Sequence, residues 1–181
     1  ANISRFEIVR GPGSAVYVAD AFSGVINVIT KNPDEIDGLN IGARAGSFDT
    51  YDSWLQAGGE LGNWKTTFSF EYRTSNGDDD RVFSDGFAQT GVMETGYERY
   101  NSSFDIGTGN WNLNLNSWNL RDAGVGVGPT QVRDPVGRQE VDQWGAKLDY
   151  KDSDFAEHWQ IASKLVYRKI DQQSYYLLFP A

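Results

Sequence analysis

Trp64-Lys65-Thr66-Thr67-Phe68-Ser69-Phe70-Glu71-Tyr72-Arg73 alternates strictly. Trp64, Thr66, Phe68, Phe70 and Tyr72 fall on one side of an extended chain, and Lys65, Thr67, Ser69, Glu71 and Arg73 on the other. A period of two is the signature of a β-strand whose faces meet different surroundings. The same reading extends outward to Leu39, Ile41, Ala43 and Ala45 against Asn40, Gly42 and Arg44. It recurs at Trp144, Ala146, Leu148 and Tyr150 against Gln143, Lys147 and Asp149, and at Trp159, Ile161, Leu165 and Tyr167 against Gln160, Lys164 and Arg168. Two places break phase. Trp54 opposes Tyr51, Leu55, Ala57 and Leu61, and the apolar set of 111–120 moves from odd positions (Trp111, Leu113, Leu115) to even ones (Trp118, Leu120), which predicts a bulge or a strand leaving the apolar layer.

Seven strands are predicted, near 38–46, 50–61, 63–75, 97–108, 110–122, 139–151 and 157–177. Short turns at Gly62-Asn63, Gly109-Asn110 and 151–157 alternate with long Gly- and Asp-rich connections at 76–96 and 123–138, although the first connection, Ser47-Phe48-Asp49, is short. Long loops at one end and tight turns at the other suit a transmembrane β-barrel, with the long loops outside the cell. A soluble sandwich with the apolar face as its core would alternate in the same way. The aromatic residues favour the barrel, because Trp64, Tyr72, Trp111, Trp144, Tyr150, Trp159 and Tyr167 sit at strand ends, where interfacial girdles lie.

Composition removes most other classes. The chain has 181 residues and a formal net charge of -9, with no basic stripe, so nucleic acid is not an expected partner. Zero Cys excludes disulfides and thiolate chemistry, and the single His158 leaves no zinc cluster or charge-relay set. No catalytic residue, metal centre or cofactor is therefore expected. No apolar run approaches the ~18 residues of a spanning helix. The chain starts at Ala1 without an initiator Met, a basic segment or an apolar leader, and it is read as cytoplasmic or as a piece of a longer protein.

The first thirty residues differ in kind. Arg5-Phe6-Glu7-Ile8-Val9-Arg10-Gly11-Pro12 reads as a strand stopped by a Gly-Pro turn, Ser14 to Ala19 as a brief helical turn, and Gly24 to Lys31 as a second strand ended by Asn32-Pro33. Val25, Ile26, Val28 and Ile29 would make it a buried core strand. In order, RFEIVRGPGSAVYVADAFSGVINVITK resembles the end of the plug domain of TonB-dependent outer-membrane receptors. The matching signature positions are Arg10, Gly11, Pro12, Tyr17, Gly24 and Asn27. Two positions depart from the family pattern: its Tyr-Gly is Tyr17-Val18 here, and its Gly-Gly is Ser23-Gly24.

The resemblance implies a plug end over 1–33 and the first strands of a transmembrane β-barrel over 34–181. It also implies an outer-membrane location in a Gram-negative bacterium, with lipid around the barrel, and uptake of a scarce small-molecule nutrient such as a ferric siderophore, cobalamin or haem. TonB would act through an N-terminal region lying outside this sequence. Arg10 would pair with barrel carboxylates at the plug-to-barrel interface. Seven strands cannot close around a plug, where about 22 are needed, so the resemblance makes this chain a fragment. The tail, Leu177-Leu178-Phe179-Pro180-Ala181, also lacks the terminal aromatic residue that the family implies.

Ligand contacts are less legible. Asp78, Asp79, Asp80 and Asp85 in the 76–85 loop are candidate ligand-binding residues, but their spacing fails the calcium-loop pattern and a solvated acidic loop is the alternative. Gly11 to Ser14 lacks the Lys and spacing of a phosphate loop, His158 reads as solvated, and the Asn101-Ser102-Ser103 sequon as incidental. Two other functions stay open at this level. One is a small non-transporting outer-membrane barrel, and the other is a carbohydrate-binding sandwich with Trp54, Trp118 or Trp144 as stacking platforms.

Overall fold

The computed structural model describes residues 2–11, 24–31, 35–36, 38–156 and 159–178. Strands β1 (Ile3–Arg10) and β2 (Gly24–Thr30) form an antiparallel hairpin. The long strands are β3 (Gly38–Gly46), β4 (Thr50–Leu61), β5 (Trp64–Ser75), β8 (Tyr97–Thr108), β9 (Trp111–Val127), β10 (Arg133–Phe155) and β11 (Trp159–Tyr175). They make one antiparallel sheet in the order β11-β10-β9-β8-β5-β4-β3, so each strand pairs with its neighbour in sequence and the sheet does not close. Between β5 and β8, the short strands β6 (Val82–Ser84) and β7 (Thr90–Val92) form a separate hairpin. The fold is mainly β, an incomplete barrel wall. Pro12, Tyr17, His158, the 14–19 turn and the last three residues lie outside the described residues.

The tight turns follow from sequence. Gly62 (φ 60°) and Gly109 (φ 53°) are each followed by Asn, placing a residue with positive φ first in a two-residue hairpin loop. That geometry matches the twist of the flanking strands. The 123–138 connection is much shorter than the sequence predicts, because β9 and β10 continue pairing up to Val127 and Arg133. Pro135, which cannot serve the ladder, sits within a register shift between Asp134 and Arg138. Asp134 is fully buried there and accepts the amides of Val136 (3.2 Å), Gly137 (2.5 Å) and Leu177 (2.7 Å).

Neither phase break is a bulge at the expected place. β9 holds its register with β8 without interruption from Trp111 to Arg121, so Trp118 and Leu120 simply face the polar side. The irregularity lies higher, between Leu120 and Ala123, where Asp122 takes a positive φ of 47°. Trp54 also faces the polar side. Its ring lies over Gly42, its indole N–H donates to Asn40 Oδ1 at 3.2 Å, and the Arg44 guanidinium stands 5.8 Å from the ring centroid.

The two faces are inverted relative to a soluble sheet. On β5, Thr67 and Ser69 are buried (4% and 7% exposed), while their neighbours Phe68 and Phe70 are exposed (39% and 38%). Across the sheet, Leu39, Ile41, Trp64, Trp111, Leu115, Trp144, Leu165 and Tyr167 are all exposed. Buried apolar side chains among the described residues are Ile36, Val132 and Val141. The apolar face therefore packs into no core among the described residues, unlike the inner face of a sandwich. Trp144 also lies on the face opposite to Trp54 and Trp118, so the three do not form one stacking patch.

The exposed apolar face has two aromatic borders. Near the turns, Trp111 and Tyr150 pack with tilted rings, centroids 4.7 Å apart, and Trp64 lies in the same cross-strand row. Toward the loops, Tyr72 and Tyr100 pack with tilted rings, centroids 5.0 Å apart. Neither border follows a single hydrogen-bond row. The row of Tyr72 passes through Tyr100, Asn119 and Asp142 to Asp171, and β11 carries exposed tyrosines on that face four residues to either side, Tyr167 and Tyr175. The row of Trp64 reaches Ser163, yet the lower aromatic is Trp159, again four residues earlier. Strands about 4.8 Å apart and tilted by about 40° shift a level band by roughly 1.2 residues per strand, or about five over four strands. At that tilt a band bounded by Tyr72 and Tyr167 above and by Trp64 and Trp159 below would be level, with Tyr175 beyond its upper edge.

Candidate functional site

The polar face of the sheet is the side against which the N-terminal hairpin lies. Asn2 donates to Ser103 Oγ at 2.7 Å and Lys31 Nζ reaches Gln56 Oε1 at 3.4 Å. Ser103 in turn bonds Ser69 at 2.9 Å, so a hydroxyl chain continues from the hairpin across β8 to β5. These contacts explain why Gln56 and Ser69 are buried although polar. Beside them lies a cavity of about 290 Å³ between hairpin and sheet, lined by Thr30, Ser103, Asp105, Asn114, Asn116 and Lys147. Asp105 accepts from Asn114 at 2.9 Å, and its second oxygen is buried without a partner.

Within the hairpin, Arg10 pairs in register with Gly24. Arg10 is exposed at the end of β1, and no carboxylate among the described residues is paired with it. Gly11 has a φ of 98°, as a stop after a strand requires of a residue without Cβ. A Cβ on Gly24 would stand 2.5 Å from the Val9 carbonyl oxygen, which makes glycine necessary there. Asn27 donates to Glu7 at 3.2 Å, and Glu7 also holds Arg5 at 2.9 Å, giving the hairpin an exposed polar network. The expected buried core strand is not seen. Ile26 and Val28 are exposed, because the two-stranded hairpin has no second layer among the described residues.

At the loop end, the long connection and the β9–β10 tip are joined. Gly86 N donates to Gln131 O (3.1 Å), Gly124 N to Gly96 O (2.8 Å), and Arg133 N to Asp85 Oδ2 (2.9 Å). The tail adds a third tie where Thr130 Oγ1 donates to Leu178 O at 2.9 Å. Asp85 is thus a loop-organising residue. Besides Arg133 it accepts the amides of Gln89 and Phe87, both at 2.9 Å, and these bonds, with that of Arg133 foremost, hold its carboxyl below the usual carboxylate range.

The four candidate aspartates are not brought together. Asp78 pairs with Arg81 (3.2 Å) and caps its amide, Asp85 is spent on the loop, and Asp80 is exposed. Asp79 instead borders an open groove of about 380 Å³ with Glu94, Glu98, Asp122, Asn76 and Tyr97. Glu94, Glu98 and Asp122 were not singled out in the sequence, since each lies on a different segment and nothing local links them. Among the described residues no group of three or more His, Asp or Glu is placed to hold a metal ion. Asn101 of the sequon lies in the middle of β8 on the polar face, opposite Glu71 and Trp118.

A second charged array occupies the polar face below the loops. Arg44, Asp52, Arg73 and Arg99 lie side by side on β3, β4, β5 and β8. Asp52, 3% exposed, takes both Nε (2.9 Å) and Nη2 (2.5 Å) of Arg44 on one oxygen, and Glu71 takes Arg99 at 3.1 Å. The sequence showed these charges as the polar half of an alternating pattern, without their cross-strand neighbours.

No helix among the described residues is long and apolar enough to cross a membrane, a fact that does not bear on strands. No family model matches the chain. Over 45 residues it is 47% identical to the vitamin B12 transporter BtuB of Vibrio vulnificus (strain CMCP6), a stretch amounting to 25% of this chain. The chain covers 7% of that relative's length. What the chain shares with this relative is thus a local stretch of a transporter, set in a mainly β, unclosed barrel wall.

Proposed function

We propose that this chain is part of an outer-membrane receptor that captures a scarce nutrient and imports it with energy from TonB. In this reading 1–33 is the end of the plug and 34–181 the first part of the barrel. The observation that carries it is the apolar band: aromatic pairs near both ends, exposed apolar side chains between them, and polar side chains buried on the side where the hairpin lies. Lipid on one face and a plugged lumen on the other is the environment that rewards such an inversion. The family resemblance of RFEIVRGP…GVINVITK and the transporter relative point the same way.

The open ladders of β3 and β11 would each leave unsatisfied backbone groups in lipid at several kcal/mol apiece, so further strands are proposed to complete the wall. Arg10, Gly11, Pro12, Tyr17, Gly24 and Asn27 are proposed as the plug signature, with Arg10 at the plug-to-barrel interface. The joined loops and the acid-lined groove face the outside, where ligand arrives. No chemical step is assigned to any residue. TonB would pull on a region preceding this chain and rearrange the plug.

Fractionation of cells producing the intact reading frame tests the location, and uptake of radiolabelled cyanocobalamin with and without TonB tests the activity. The relative's name makes that ligand the first to try, with ferric siderophores and haem after it. The protein is expected in the outer membrane, extracted by detergent and shifted in electrophoresis by heating. Recovery as a monomer in plain buffer would sink the reading.

A further inference from the structure

We propose that the polar face of the wall carries an oxyanion-binding site centred on Arg73, with Arg99 as its second guanidinium, which receives a carboxylate or phosphate group of the incoming ligand. The proposal rests on the receptor reading above. Arg73 and Arg99 stand directly opposite each other on β5 and β8, and like charges so placed repel unless an anion is shared between them. The local acids do not supply one. Asp52, the neighbour of Arg73 on β4, turns one oxygen to Arg44, and Glu71 turns to Arg99. Arg73 makes no hydrogen bond or ion pair among the described residues.

Three buried atoms in this row lack partners: Nε of Arg73, Nε of Arg99 and Oδ1 of Asp52. Buried polar atoms of this kind are costly unless something completes them. An oxyanion supplies acceptors in the planar geometry that guanidinium groups match, and a hydrogen phosphate also brings a proton for Asp52 Oδ1. The aromatic rings of Trp54 and Trp118 lie one row below on the same face, so a charged group held here would have apolar surface beside it.

The test uses the intact gene product in detergent, titrated calorimetrically with inorganic phosphate and, separately, with citrate. Wild type is expected to bind at least one of them at a single salt-sensitive site. Arg73→Gln should weaken that binding at least about tenfold, the loss of a charge-assisted contact. Arg73→Lys, which keeps the charge and guards against misfolding of the first variant, should retain part of it. The melting temperatures of both variants should stay near that of wild type in the absence of anion, and added phosphate or citrate should raise only that of proteins that bind. Lys151→Gln, at the turn end of β10, serves as the unaffected control. Absence of binding by wild type, or binding by both variants equal to wild type, overturns the proposal. Neither result depends on membrane location, so fractionation judges the receptor reading independently.

Discussion

The two ends of the sheet are finished differently. Both ends carry a tilted aromatic pair on the face opposite the hairpin, Trp111 with Tyr150 near the turns and Tyr72 with Tyr100 toward the loops, and at the turn end the other face adds a simple exposed ion pair, Lys65 to Glu60 at 2.8 Å. At the loop end, order comes from carboxylates that accept backbone amides: Asp85 joins two loops, and Asp134 holds the β9–β10 bulge to the chain after β11. Rings suit a boundary where the surroundings change from apolar to wet. Carboxylates suit irregular backbone that has lost its ladder partners and must be satisfied some other way. Between the two ends, each strand shows one face to each environment, and the predictions follow that division.

The largest effect is expected in the middle of the apolar band. In the intact barrel in lipid vesicles, Phe68→Arg should cost about 2–4 kcal/mol of unfolding free energy, whereas Trp64→Arg at the border should cost roughly 0–1. Equal costs would mean that the band is not a membrane layer. Next comes the loop end, where Asp134→Ala strands the buried amide of Gly137 and the part-buried amide of Leu177 and should cost about 1–3 kcal/mol by denaturant titration.

A smaller contrast sits at Ser102 and Ser117, whose hydroxyls bond at 2.8 Å on the apolar face. Either single change to Ala should destabilise by roughly 1 kcal/mol, and the double change should recover most of the loss, because no orphan hydroxyl remains. A double-mutant cycle measures this directly.

The smallest effect is local and depends on pH. Because the folded-state pKa of Asp85 is lowered, its contribution is present above the usual carboxylate value and is lost as pH falls through the lower folded value. Amide exchange at Phe87, Gln89 and Arg133 should therefore gain relative to the sheet as acid protonates Asp85. Asp85→Asn should show the faster exchange already at neutral pH. Unchanged exchange would show that the loops hold without this carboxylate.

Much of this was legible beforehand, because a strand writes its two environments into alternate residues. Trp64 to Arg73 gave a strand, its faces and its aromatic ends, and Gly62 and Gly109 gave the turns. Misreadings fell where non-local pairing overrides local pattern. Trp118 and Leu120 suggest a bulge or a strand leaving the apolar layer because sequence alone cannot tell which face of a sheet an aromatic side chain joins. The 123–138 stretch looked like a loop because its Gly, Pro and Asp content conceals a ladder held by Asp134. The acidic loop suggested one cluster, and folding dispersed it, sending Asp85 to a strand 48 residues away.

By itself, then, the sequence determined that the chain is an amphipathic antiparallel sheet preceded by a β-hairpin with a Gly-stopped first strand, since periodicity and turn chemistry are local properties. The tertiary structure alone decided which face meets which surroundings, which charges become neighbours, and which polar atoms are left without partners. Those depend on register, and register couples residues tens of positions apart through hydrogen bonds that no single segment encodes.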